Sequence, residues 1–133
     1  VQDIIEAGKF LFIAHPDVYL AGYTDWDENA RSCALDICRC AVEHDIPLEI
    51  NANGFRKNKL VDSKGNSRYT YPVREFWEVA AEQQVKVLVG SDAHDPGELV
   101  DSVEKCYRWI DELGLQDIQD SLYSRVYKNS YIG

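Results

Sequence analysis

The sequence contains no methionine, no C-x-x-C pair, no block of basic residues and no apolar run of bilayer length. Each absence narrows what the chain can be. Without ~20 consecutive apolar residues, no helix can span a bilayer, so a membrane partner is not expected. The first residues have no charged-then-apolar stretch of the secretory type. Lys and Arg total 14 against 23 Asp and Glu, a formal net charge of -9. A sequence-independent grip on nucleic-acid backbone needs clustered Lys and Arg, so nucleic acid is an unlooked-for partner. A small phosphorylated substrate stays open, because bound metal ions invert the local field. There is also no internal sequence repeat and no low-complexity segment.

Cysteine is scarce and wrongly spaced for a zinc or redox site. Cys33, Cys38 and Cys40 crowd one helical stretch, and Cys106 lies far away. Reduced, mostly buried small side chains suit this pattern, and with it a cytoplasmic location. The missing methionine implies that no initiator is retained. Val1 to Gly8 reads as the last turns of a helix closed by a glycine. The expectation is therefore a chain that begins partway through a domain.

The most informative stretch runs from Val85 to Leu99. Val85 to Val89 is an apolar run of strand length, suited to a parallel strand buried on both faces. Gly90 allows a close turn at its end. Asp92 and His94 are two apart and share a side in extended chain. Asp95-Pro96-Gly97-Glu98 then reads as an N-cap, a first-turn proline and a capping-box partner. A carboxylate and an imidazole thus meet at the carboxyl end of a buried strand, where open α/β sheets and barrels bind ligands. One Asp-x-His pair alone would equally be a turn cap and a loop hydrogen bond.

Two further strands end in polar residues. Lys9 to Ala14 ends at His15-Pro16-Asp17, where the proline stops the ladder and leaves His15 as the last strand residue. A loop from Val18 to Thr24 follows. Asp25-Trp26-Asp27-Glu28 opens a helix whose inward face carries Ala30, Cys33, Ala34, Ile37, Cys38, Ala41 and Val42. His44 ends that helix on the surface. Leu48-Glu49-Ile50-Asn51 is the next strand, with Leu48 and Ile50 facing one way and Glu49 and Asn51 the other. Burying that carboxylate unpaired in a core is costly, so it is expected to face a polar mouth.

Asn53 to Thr70 reads as a long surface loop of functional length. Tyr71-Pro72 starts a helix with Val73, Phe76, Trp77 and Ala80 inward. Pro96 to Leu113 buries Leu99, Val103, Cys106, Tyr107 and Ile110, and Gly114 closes it. In the tail from Leu115 to Gly133, one more helix turn and a short strand are possible readings. Alternating units of this kind make an α/β fold with parallel strands and right-handed helical crossovers.

Three strand ends therefore carry His15, then Glu49 and Asn51, then Asp92 and His94. Imidazole with carboxylate suits Zn, Mn or Fe better than Ca. The motifs His15-Pro16-Asp17, Leu48-Glu49-Ile50-Asn51 and Gly90-Ser91-Asp92-Ala93-His94 resemble the later motifs of the PHP (polymerase and histidinol phosphatase) superfamily. The likeness runs from about Lys9 to Leu113 and is nearest to histidinol-phosphatase-type phosphoesterases.

The resemblance implies the C-terminal half of a distorted (β/α)7 TIM-like barrel, with residues 1–133 as one partial domain. It implies a divalent metal cluster held through His15, Asp92 and His94, with Asp92 and His94 essential for catalysis. Glu49 and Asn51 would support those ligands from behind. Arg56 and Arg68 would hold the substrate phosphate, each being otherwise a solvated loop charge. The family's opening His-x-His motif has no counterpart among the three histidines. The 133 residues alone are therefore expected to bind metal weakly or not at all, to lack turnover, and to associate with themselves or with a missing half. A PHP-type nuclease and a non-catalytic interaction module are the alternatives.

Overall fold

Strands form where the apolar runs lie, and helices where apolar residues recur every three or four positions. The computed structural model describes residues 2–5, 10–90 and 96–118, with side chains from 12 to 90 and 101 to 118. In chain order the elements are β1 (Gln2–Ile5), β2 (Phe10–Ile13), a 3-10 helix (Pro16–Ala21) and α1 (Glu28–Glu43). Next come β3 (Leu48–Asn51), a second 3-10 helix (Ala52–Arg56), β4 (Leu60–Val61) and β5 (Ser67–Arg68). The chain continues with α2 (Arg74–Glu82), β6 (Lys86–Gly90), α3 (Pro96–Leu113) and β7 (Gln116–Asp117).

The architecture is mixed α/β. One sheet has the order β1-β2-β3-β6-β7, in which β2, β3, β6 and β7 run parallel and β1 runs antiparallel to β2. Each parallel step is bridged by a helix, as a parallel pair requires. The sheet is open, with β1 and β7 at its edges, and no closed barrel forms among the described residues. None of the helices there is long and apolar enough to cross a membrane.

Register assigns the two faces of the sheet. Leu48 pairs with Val87 and Ile50 with Val89, so these four side chains share one face. They join the buried core with Ala34 and Cys38 of α1, Phe76 and Trp77 of α2, and Cys106 and Ile110 of α3. Glu49 pairs with Leu88 and Asn51 with Gly90, which puts the polar pair on the opposite face. The expected division of β3 is what the fold uses.

Helix starts also follow local chemistry. Asp27 caps α1 by accepting from the Ala30 N–H at 3.0 Å. Gly114, with φ of 70°, closes α3 in the left-handed conformation that glycine tolerates best. His44 sits exposed at the end of α1, as anticipated.

Several expectations need correction. Gln2–Ile5 is a strand and not the end of a helix, because it pairs residue for residue with β2. β2 stops at Ile13, so His15 lies beyond the strand. The segment after it is a 3-10 helix, closed by short local bonds such as Val18 N–H to the His15 carbonyl. The inward face of α1 is narrower than its pattern suggested: Cys33 and Val42 are exposed. Small residues (Ala30, Ala34, Cys38, Ala41) fill it, and α1 packs there against α2. Tyr107 on α3 is likewise exposed.

The stretch read as one surface loop is partly core. Gly54 and Phe55 are buried in the second 3-10 helix, and β4 pairs with β5 in a small hairpin. Its turn is built by Asp62, whose Oδ1 accepts from the N–H groups of Lys64 and Asn66, and by Gly65 at φ of 85°. The short strand β7 bears out the possible strand of the tail; residues 119–133 lie outside the described residues.

Candidate functional site

At the carboxyl end of β2 the chain bends sharply. His15 has φ of 25° and ψ of 68°, a backbone that a non-glycine residue adopts only when its surroundings hold it. What holds it is Glu49. The His15 N–H donates to Glu49 Oε1 at 3.1 Å, across to the neighbouring strand end. The Asn51 side-chain amide donates to the same oxygen at 3.1 Å. Glu49 and Asn51 are both buried, so these bonds answer the desolvation of the carboxylate.

The run continues outward. Asn51 Oδ1 accepts from the Asn53 N–H at 2.8 Å, and Asn53 Oδ1 accepts from Arg56 Nη2 at 2.7 Å. One hydrogen-bonded series therefore joins the His15 backbone to the Arg56 guanidinium through Glu49, Asn51 and Asn53. Of the residues singled out from sequence, it brings together His15, Glu49, Asn51 and Arg56.

Gly90 completes the rim. A Cβ there would collide with the Glu49 carboxylate, approaching its Cδ to 2.6 Å. Glycine at this position thus leaves room for the Glu49 carboxylate within the strand. Asp92 and His94 lie outside the described residues, two and four positions beyond it.

The His15 ring packs against Tyr71, with centroids 5.7 Å apart. Its Nδ1 is buried and has no hydrogen-bond partner among the described residues. An unpartnered buried imidazole nitrogen at a strand end fits a metal-ligand role, because coordination would satisfy it. Glu49 fits a supporting role better than a direct one, since one of its oxygens already accepts two bonds. Among the described residues no three His, Cys, Asp or Glu side chains are grouped to hold a metal ion. A shell would need donors from Asp92 and His94.

Arg68 is placed differently. Its Nε donates to the Thr24 carbonyl at 3.3 Å, and Nη1 to those of Tyr69 (2.8 Å) and Thr70 (3.3 Å). Nη2 donates to the carbonyls of Leu20 and Tyr23. All five N–H groups of the guanidinium thus bind backbone, clasping the loop after Leu20 to the end of β5. Holding a phosphate would require Arg68 to release some of these carbonyls.

Sequence reasoning passed over Asp17 as a separate residue, although it stands inside the His15-Pro16-Asp17 motif. It is fully buried. Its Oδ2 accepts from the Val73 N–H at 2.8 Å and from Trp77 Nε1 at 3.1 Å. Burial pushes its carboxyl up to about 6, against the pull of these bonds and of nearby His15. Asp17 therefore ties the segment after β2 to the start of α2. The available signal was an acidic residue beside a proline, four positions past the end of β2.

Of the cysteines, Cys38 and Cys106 are buried, with thiols pushed up to about 12 by burial, and are chemically quiet. Cys33 and Cys40 are exposed, so burial holds for only half of the four.

No family model, curated protein or solved structure matches the chain. Its function is read from the site.

Proposed function

We propose that the chain carries part of the active site of a metal-dependent phosphomonoesterase of the PHP type, nearest to histidinol phosphatases. The observation that carries this reading is the hydrogen-bonded series from His15 to Arg56 at the carboxyl rim of parallel strands. It links a residue suited to hold metal with one suited to hold phosphate. The order β2-β3-β6-β7, each strand beside its successor in the parallel set, supports half of a TIM-like barrel.

His15, Asp92 and His94 would hold the divalent ion, with Zn, Mn or Fe matching the donor types. When bound, such an ion supplies an activated water and neutralises phosphoryl oxygens. Arg56 carries the guanidinium that would face phosphate oxygens, held in place by its bond to Asn53. Glu49 and Asn51 fix the backbone of His15 and the path toward Arg56. Arg68 braces the loops around them.

The test is phosphate release from histidinol phosphate with Mn²⁺, using a longer chain with a His-x-His segment ahead of these residues. Asp92→Ala and His94→Ala are each expected to lower the rate at least ~100-fold with the fold retained, as loss of a ligand disables the activated water. The 133-residue chain alone should release none and should sediment as an associated species through its open sheet edge. Full activity in either variant, or cleavage of single-stranded DNA in place of the phosphomonoester, would overturn the reading.

A further inference from the structure

The basic residues of this acidic chain are unevenly placed. Between the β4–β5 hairpin, the start of α2 and the middle of α3 lies a cavity of about 240 Å³. Lys59, Arg68 and Arg74 line it together with Tyr69 and Trp109, and Glu75 is the single acidic side chain of its wall. Three cations against one anion inside a chain of net charge -9 is a local inversion of sign.

The cations are held largely by aromatic rings, and Arg74 alone of those on the wall with a ring contact is also ion-paired, to Glu112. Lys59 Nζ stands 5.0 Å from the centre of the Tyr69 ring, and the Arg74 guanidinium 5.2 Å from that of Trp109. Lys105 adds another positive group, 5.6 Å from the Tyr69 ring. Among the described residues neither Lys59 nor Lys105 has a carboxylate at ion-pair distance. Arg74 directs Nη1 to Glu112 at 2.7 Å, while its other N–H groups take part in no hydrogen bond given for the described residues. Arg68, bound to five carbonyls, contributes field but no free donor.

We infer that this cavity binds a small organic anion bearing a flat ring, with Lys59 and Arg74 taking the anionic group and Tyr69 and Trp109 flanking the ring. The apolar wall and the cationic wall face different parts of one amphipathic ligand, which inorganic phosphate would only half satisfy. The groove is open to solvent on one side, so it would seat part of such a ligand without enclosing it. The site is independent of the phosphatase reading, and its test needs no metal.

The experiment is binding to the 133-residue chain in EDTA, with adenosine monophosphate as probe and inorganic phosphate and adenosine beside it. Trp109 fluorescence and titration calorimetry are the readouts. Adenosine monophosphate should bind saturably and more tightly than either comparison compound. Lys59→Ala and Arg74→Ala should each weaken it about 10-fold, the loss of one charge-assisted contact. Arg39→Ala, exposed on α1 and outside the cavity, should leave it unchanged. Lys59 is exposed on the hairpin, so its variant decides the question if Arg74→Ala unfolds. Absence of saturable binding overturns the inference. So does affinity unchanged by Lys59→Ala, loss of binding in Arg39→Ala, or phosphate binding as tightly as the nucleotide.

Discussion

Replacing Asp17 with alanine is expected to destabilise the fold by about 3 kcal/mol, since it strands two buried donors. The Val73 N–H and the Trp77 indole both lose their acceptor, and neither can reach water. Asp17→Asn keeps an oxygen for both donors and removes a buried charge. It should fall within about 1 kcal/mol of the parent. Urea unfolding followed by tryptophan fluorescence measures both. Equal damage from the two variants would mean that the charge, and not the acceptor, holds the segment.

Gly54→Ala should be comparably damaging, at about 3 kcal/mol, for a steric reason. A Cβ at Gly54 would collide with the Tyr71 carbonyl oxygen and lie 2.6 Å from the carbonyl carbon. Backbone cannot swing aside as a side-chain tip can, so either the second 3-10 helix or Tyr71 must shift. Because the Tyr71 ring packs on His15, the damage should also reach the rim. The denaturation midpoint and the His15 ring proton shifts test this together. An unchanged midpoint would show that the two segments give way easily.

The sequence was most legible where local pattern and tertiary role agree. β2, β3 and β6 stand on apolar runs and α3 ends at a glycine of positive φ, while the cap of α1 is Asp27, two residues after the start of the expected Asp25–Glu28 capping box. The polarity of Glu49 and Asn51 on an apolar strand foretold their common face. What stayed hidden depends on partners distant in sequence. Gln2–Ile5 has no strand pattern of its own and becomes a strand by pairing with β2. β7 is two exposed residues defined by their bonds to β6.

The same distinction separates the site residues. His15, Glu49 and Asn51 were singled out from residue type and position and Arg56 alongside the family likeness, and the four share one hydrogen-bonded network. Arg68 has the same chemistry as Arg56, but its loop folds so that carbonyls surround it. No local signal told the two apart. The buried role of Asp17 depends on α2, 56 residues away at Val73, which no spacing rule reports.

The central claim is that His15 and His94 serve one metal-binding rim. The chain holds three histidines, His15, His44 and His94, so each gives one assignable ring signal. The most direct measurement is a Mn²⁺ titration of the 133-residue chain followed by the three Cε1–H resonances, with EDTA to reverse it. The ion broadens protons beside it and spares distant ones. Although this chain alone is expected to bind the ion weakly, the account predicts that the His15 and His94 signals broaden together as Mn²⁺ is raised, while exposed His44 at the end of α1 stays sharp. Broadening of His44 ahead of the others, or of only one of His15 and His94, would contradict it.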